Sequence, residues 1–260
     1  MGAILGPLKE HESQINNKVA LFASDDPDGR GWYVSFSDAA QKMGYDCYGA
    51  DKQFGLTGIE AEDFTPLITA WKKYGCDVLW VNSPGFFFGN LWRQCHIEAF
   101  QPKIVLATKA ALFYADANAW GGDLPNGVCN EMFWSESIED SPGIAGTTPM
   151  NLHERWVAAT GQTRNENVGM GYQYMQVLLN AVERAGTIDG EEVNHALRDT
   201  DMMTIYHRVL FNDKNICRMP VAFGQWQKTD KPYVWDNPII YSEHEFMSAT
   251  AEMIFPVPYD

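Results

Sequence analysis

The sequence predicts an α/β fold, a Rossmann-like parallel sheet with helices on both faces, and two observations carry that prediction. Short apolar runs with little alternation recur at 18–24, 76–82 and 103–108, the pattern of strands buried on both faces of a parallel sheet. Amphipathic stretches separate the runs, and right-handed crossovers then place helices on both sides of one sheet. In such sheets the loops leaving the carboxyl ends of the strands form the ligand crevice. Function is therefore sought at 25–30, 83–88 and 109–113.

The elements follow in order. After the first strand, Gly29 to Gly31 open a helix running to about Met43, with Trp32, Phe36, Ala39, Ala40 and Met43 at helical spacing and Gly44 as its stop. A short strand is expected around 46–50. A polar loop with Gly55 and Gly58 leads to a helix over 63–75, where Asp63 or Thr65 can cap, Pro66 fits the first turn, and Lys72 and Lys73 sit near the negative end of the dipole. Helices are expected at 86–100 and 110–120, then a turn cluster at 121–127 and an apolar run from Val128 to Trp134.

Composition shifts after Trp134. Residues 135–150 are rich in Ser, Gly, Pro and Thr and read as a linker or hinge. Three helices follow, at 149–160, 168–185 and 190–198. The middle one carries Met170, Tyr174, Val177, Leu178, Ala181 and Val182 on one wide apolar face, which must bury against something. Yet 135–208 contains no convincing strand, so this helical segment has no sheet of its own to cover. Strand-like composition returns at 221–227 and 233–241.

Composition also excludes function classes. A chain of 260 residues with 45% hydrophobic and 20% charged residues reads as folded. Its formal charge of -15 would repel a phosphate backbone, which argues against a nucleic-acid partner. No apolar stretch approaches the roughly 20 residues needed to span a bilayer, and the N-terminus lacks a basic n-region and a full-length apolar core. The chain is expected to be soluble, with no membrane insertion. Five cysteines without a C-x-x-C spacing, and six histidines without an H-E-x-x-H pattern, give no support to a metal. Gly169 to Gly171 lacks the third glycine of a dinucleotide loop, and neither a nucleophile elbow nor a phosphate loop is present. No catalytic residue, metal or cofactor is predicted, and the chain does not read as an enzyme.

The ordered set Lys18 to Phe22, Asp28 to Trp32, Asp63 to Ile68, Gly75 to Trp80, Arg93-Gln94, Pro102 to Ile104, Gly171 to Tyr174, Ala181 to Gly186 and Gly224 to Trp226 resembles the branched-chain amino-acid type of periplasmic solute-binding protein. Those are the type I receptors, or extracellular ligand-binding receptors, that feed ABC importers. The resemblance runs from about 13 to 242. It implies two Rossmann-like lobes joined by three crossing strands, with ligand clamped between them. By the same resemblance, 13–134 and 218–242 form lobe two, 135–217 are helices returning from lobe one, and 243–260 are a C-terminal tail. The sheet of lobe one, with its backbone site for a ligand carboxylate, is absent from this chain. Also implied are a small-molecule ligand, an ABC transporter permease as partner, and an extracytoplasmic location, with no signal segment in the chain. An apolar helix face without its sheet predicts a homodimer.

The resemblance places Asp28, Pro84 and Lys109 where lobe two touches ligand, at positions that resemble Tyr, Tyr and an acidic residue in amino-acid-binding members. A cation at Lys109 repels an ammonium and favours a carboxylate; its plainer reading is a helix-start residue pointing to solvent. Residues 25–29 look like a calcium loop until the twelfth place, where Ser35 stands instead of a bidentate Glu. Asp28 also reads as the cap of a helix starting near Arg30. Ser83 and Pro84 with Phe86 to Phe88 can wall the crevice, and since helical neighbours point about 100° apart, at least one ring faces the core; Phe86 is the ligand-contact candidate. The expected function is a solute-binding component, or truncated form, that takes an amino-acid-like or organic-acid ligand. The alternative is a non-binding structural or sensing module that dimerises through its helical face.

Overall fold

A computed structural model describes residues 2–259. Contacts divide the chain into two compact units, one holding residues up to 131, 223–241 and from 249 on, the other holding 132–222 and 242–248.

The first unit is built on a sheet of short apolar strands. β1 (Lys18–Ser24), β2 (Asp46–Cys47), β3 (Leu56–Thr57), β4 (Val78–Asn82), β5 (Ile104–Leu106) and β6 (Val128–Met132) pair in the order β6-β5-β4-β1-β2, and every pairing along that path is parallel. β3 joins the outer edge of β1 beyond β2: Lys18 and Val19 face β2, and Ala23 and Ser24 face β3.

The helices of this unit are α1 (Gly2–Glu10), α2 (Pro27–Lys42), α3 (Thr65–Tyr74), α4 (Gly85–Ile97) and α5 (Tyr114–Trp120). Alternate strand residues serve opposite faces, because successive side chains of a strand point to opposite sides. Val19, Leu21 and Trp80 share one buried cluster with Leu5 and Leu8 of α1 and Trp32, Tyr33 and Ala40 of α2. Phe22 points the other way and packs its ring on Phe64, just before α3, and on Phe87 of α4.

Both faces are thus covered, so the strands are continuously apolar. α2 begins at Pro27 and not near Arg30, because Asp26 is its cap: Asp26 accepts the Gly29 N–H at 2.8 Å and the Ser24 hydroxyl at 2.6 Å. Asp28, expected as the cap, lies one turn position inside. Gly29 is required there, since a Cβ would stand 1.9 Å from the Ser24 carbonyl oxygen. The helix expected at 110–120 is broken in two: a 3-10 turn at Lys109–Ala111, then α5 after Phe113 adopts an extended backbone.

The second unit contains α6 (Pro149–Thr160), α7 (Glu166–Ala185) and α8 (Gly190–Arg198). Side-chain oxygens of Thr148, Asn165 and Asp189 cap the three. The expectation of no strand before 208 is corrected: β7 (Asp201–Met203) pairs antiparallel with β8 (Arg208–Leu210). Each arm of the hairpin is three residues long and mostly solvated, so no apolar run marks it in the sequence.

Side-chain hydrogen bonds organise this unit. Glu166 accepts the N–H groups of Phe133 and Trp134, and Gln176 binds both the Ile205 N–H and the Pro142 carbonyl. Thr204 ties Gln173 to the His207 carbonyl. Gly169 admits the Trp134 ring so closely that any Cβ would overlap it, at 2.0 Å from Cγ. Residues 222–241 supply β9 (Ala222–Gln225), β10 (Gln227–Lys228), β11 (Trp235–Asp236) and β12 (Ile239–Tyr241). β9 adds to the main sheet next to β6 with β12 antiparallel outside it, while β10 and β11 pair separately. No described helix is long and apolar enough to cross a membrane.

Candidate ligand-binding site

β1, β4 and β5 are parallel neighbours, so their exit turns leave the same rim of the sheet. Three residues from those turns meet. Lys109 Nζ donates to Asp28 Oδ2 at 2.6 Å, and Asn82 Nδ2 donates to the same oxygen at 3.2 Å. Capping by Asp26 sets the first turn of α2 and hence the place of Asp28. Lys109 is set by Thr108, whose buried hydroxyl donates to the Val81 carbonyl at 2.7 Å and fastens the turn after β5 onto β4.

The ion pair stays reachable: the Lys109 and Asp28 side chains are 42% and 62% exposed. Asn82, 5% exposed, is the fixed member of the trio.

The remaining expected residues are placed differently. Ser83 is fully buried, with its hydroxyl on the Pro84 carbonyl at 3.3 Å. Pro84 is half-buried and forms the N-cap of α4. Of the three phenylalanines, Phe87 and Phe88 are fully buried, the first against Phe22 and Phe64, the second against Trp92 and Trp120. Phe86 is 59% exposed. Among the described residues no hydrogen bond or ion pair joins the side chains of Ser83, Pro84 or Phe86 to the Asp28–Lys109 pair.

Two members of this rim were not anticipated. In the sequence Asn82 is only the last residue of the run 76–82. Glu131, on β6, is half-buried; burial first, then the charge of Asp28, raise its carboxyl to about 7. A lone acidic residue inside the apolar run from Val128 to Trp134 was the available signal, because an acid in a buried strand needs a reason. Asp26 lies low in the carboxylate range, held there by the Gly29 N–H, the Ser24 hydroxyl and the Lys109 charge. The carboxyls of Asp26, Asp28 and Glu131 and the ammonium of Lys109 therefore share the rim, an arrangement suited to holding a polar solute by charge and hydrogen bonds. The buried thiols of Cys47, Cys76 and Cys129 are pushed up to about 12 by burial, which removes them from nucleophilic chemistry near neutral pH.

The second unit has an apolar hollow of about 390 Å³ lined by Tyr174, Val177 and Leu178 of α7, Leu197, Val209 and Met219. On the same helix Tyr174, Met175, Leu178 and Leu179 are exposed.

Comparison with known proteins locates this architecture. The pattern of the family described as Periplasmic binding protein matches residues 3–231. A leucine binding protein from Thermotoga maritima superposes with a TM-score of 0.73 at 16% identity, covering 93% of this chain and 65% of its own. The solute binding protein of an ABC transporter from Rhodopseudomonas palustris BisB5, solved with 3,4-dihydroxy benzoic acid, gives 0.67 at 16% identity, with 91% and 63% covered. An ABC transporter substrate-binding protein from Desulfitobacterium hafniense, solved with Leu, gives 0.65 at 14% identity, with 90% and 64% covered. The likeness at these identities is one of fold, and the chain spans just under two thirds of the length of each of these proteins.

Proposed function

The chain belongs to the periplasmic binding protein family, and from that premise we propose that it is a solute-binding component of an ABC importer, acting outside the cytoplasm. Its ligand is a small amino-acid-like or organic acid, received at the carboxyl rim of the main sheet. Lys109 is the anchor for the carboxylate, Asp28 its charged neighbour, and Phe86 an apolar contact, with Ser83 and Pro84 shaping the turn between β4 and α4. The observation that carries this reading is the direct contact of Asp28, Asn82 and Lys109, three residues far apart in sequence, at the rim where α/β sheets bind their ligands.

A thermal-shift screen against amino acids, aromatic acids and dicarboxylates tests it. A true ligand at a hundred times its dissociation constant stabilises the protein by about 2.7 kcal/mol. Absence of any shift across the screen removes the proposal.

One observation favours a second reading, a module that dimerises through the outer face of α7. Tyr174, Met175, Leu178 and Leu179 form an apolar strip along that helix, and large exposed apolar patches mark interaction sites. Size-exclusion chromatography with light scattering distinguishes the two: a well-behaved monomer on dilution eliminates the dimer.

A further inference from the structure

We propose that the second unit carries a binding site for a medium-chain carboxylic acid, with the alkyl chain in the apolar hollow beside α7 and the carboxylate on Arg218. All residues of this site belong to the second unit and none to the rim described above, so the inference goes beyond the reading of that rim.

The hollow, about 390 Å³, has the size of a small-ligand pocket, roughly 300–1,000 Å³. Val177 and Leu178 of α7, Leu197 of α8, Val209 of β8 and Met219 give it an apolar wall. Gln173 and His207, which also line it, are turned to bonds of their own. Gln173 donates to the Thr204 hydroxyl at 2.8 Å, and His207 holds its Nδ1 at 2.7 Å from the Arg208 carbonyl, with Nε2 shut off from solvent. Burial lowers the His207 pKa, so its ring brings no charge into the hollow near neutral pH.

A second hollow of about 380 Å³ adjoins the first, since Phe211 and Cys217 line both. Its wall includes Arg208 and Arg218. Residues 208–218 hold three cations, Arg208, Lys214 and Arg218, against the single acid Asp213, in a chain whose acids outnumber its cations 34 to 19. The local charge is therefore the reverse of the overall one. Arg208 is committed to Asp201 through two hydrogen bonds of 2.6 Å, whereas Arg218 has no ion-pair partner among the described residues. An apolar hollow that leads to an uncommitted guanidinium matches a molecule with an alkyl chain at one end and an anion at the other. One such guanidinium balances the single charge of a carboxylate and can hold it through two parallel N–H···O bonds. A cationic head is repelled by the same residues, and an uncharged head leaves Arg218 without a partner.

Calorimetry on the full chain with octanoate, decanoate, decanol and decyltrimethylammonium, all below their micelle concentrations, tests the assignment. One decanoate is expected per chain. Each buried CH₂ is worth about fourfold in affinity, so decanoate should bind about fifteenfold more tightly than octanoate. Decanol and decyltrimethylammonium should bind at least about tenfold more weakly than decanoate, the size of a hydrogen bond to a charged group. Arg218→Met, at an exposed position, should bring decanoate down to the level of decanol and leave decanol unchanged. Cys217 supplies a reading that needs no variant: the other four cysteines are buried, so N-ethylmaleimide labels this thiol first, and decanoate should slow the labelling.

The inference is overturned if decanoate fails to bind or fails to slow labelling, if the charge of the head makes no difference, or if Arg218→Met leaves decanoate affinity intact. It also fails if light scattering shows a dimer in which Cys217 is protected without any ligand, because a second copy then fills the hollow. Cosedimentation with phosphatidylglycerol vesicles in the absence of one-to-one decanoate binding assigns the cations to a membrane surface and overturns it as well.

Discussion

The two units of this chain are held together by different chemistry. In the first, a parallel sheet is packed on both faces, with Trp71, Trp80 and Trp92 fully buried. Its order comes from apolar contact, which is non-directional and proportional to the area removed from water. In the second, the interior is a set of directed bonds: Arg164 to Glu136 at 2.9 Å, Gln173 to Thr204 at 2.8 Å, Glu166 to two backbone N–H groups, with an apolar helix face left open outside them. One unit tolerates changes of shape better than loss of volume. The other is sensitive to single polar atoms.

That contrast can be broken or sharpened by substitution. The largest effect is expected from Trp80→Ala, which empties the space where its ring meets Trp32 and Phe36. A loss of about 3–5 kcal/mol in urea unfolding is expected for removing a buried aromatic of this size; a loss below about 1 kcal/mol would mean that the sheet is not the seat of stability.

Next in size is Glu136→Gln, which takes one carboxylate away from the buried Arg164 guanidinium and costs about 3 kcal/mol. The acid limb checks the same pair. Burial alone would raise the Glu136 carboxyl, but the Arg164 and His153 charges bring it from 4.5 down to about 2. A carboxylate with a lowered folded value stabilises fully above its unfolded value, and the contribution disappears as pH falls through the folded one. Stability of the second unit should therefore drop between about pH 4.5 and pH 2, and Glu136→Gln should flatten that limb. An unchanged acid limb in the variant would detach the effect from this residue.

Thr204→Val removes one hydroxyl that binds Gln173 and the His207 carbonyl, and about 1–3 kcal/mol is expected, since buried partners are left unsatisfied. The smallest effects belong to the surface. Leu179→Glu on the open strip should alter unfolding by no more than about 0.5 kcal/mol, and a larger loss would reveal that another molecule covers the strip in solution. Asp28→Asn should cost under about 1 kcal/mol, as its ion pair is half-exposed.

The same contrast explains what could be read from the sequence. β1 lies at Lys18–Ser24 and α8 at Gly190–Arg198, the bounds expected from the sequence. Both are marked by local signals, a continuous apolar run in one case and Asp189 with Glu191 and Glu192 in the first turn in the other. β3 was invisible, since two residues have no period and its place is set by backbone pairing to β1. The hairpin of β7 and β8 was missed for a related reason: its turn is organised by Thr204, a bond that leaves no pattern.

At the rim, Asp28 and Lys109 were reached through resemblance and strand spacing, but their mutual ion pair was not, because sequence gives no distance between residues 81 positions apart. Nor did it distinguish Asp26 from Asp28 as the cap, two acids a proline apart at one helix start. Glu131 carries a signal in the sequence, an acid within an apolar run, but its place on the rim follows only once β6 is known to run beside β5.

The outer border of β1 is shared between two partners of two residues each, β2 along its start and β3 along its end. Sheets with long, flat, unpaired borders recruit further chains and grow into aggregates. Here the border is stepped and too short to template a newcomer, so crowding this protein should not drive strand-to-strand stacking along this side of the sheet.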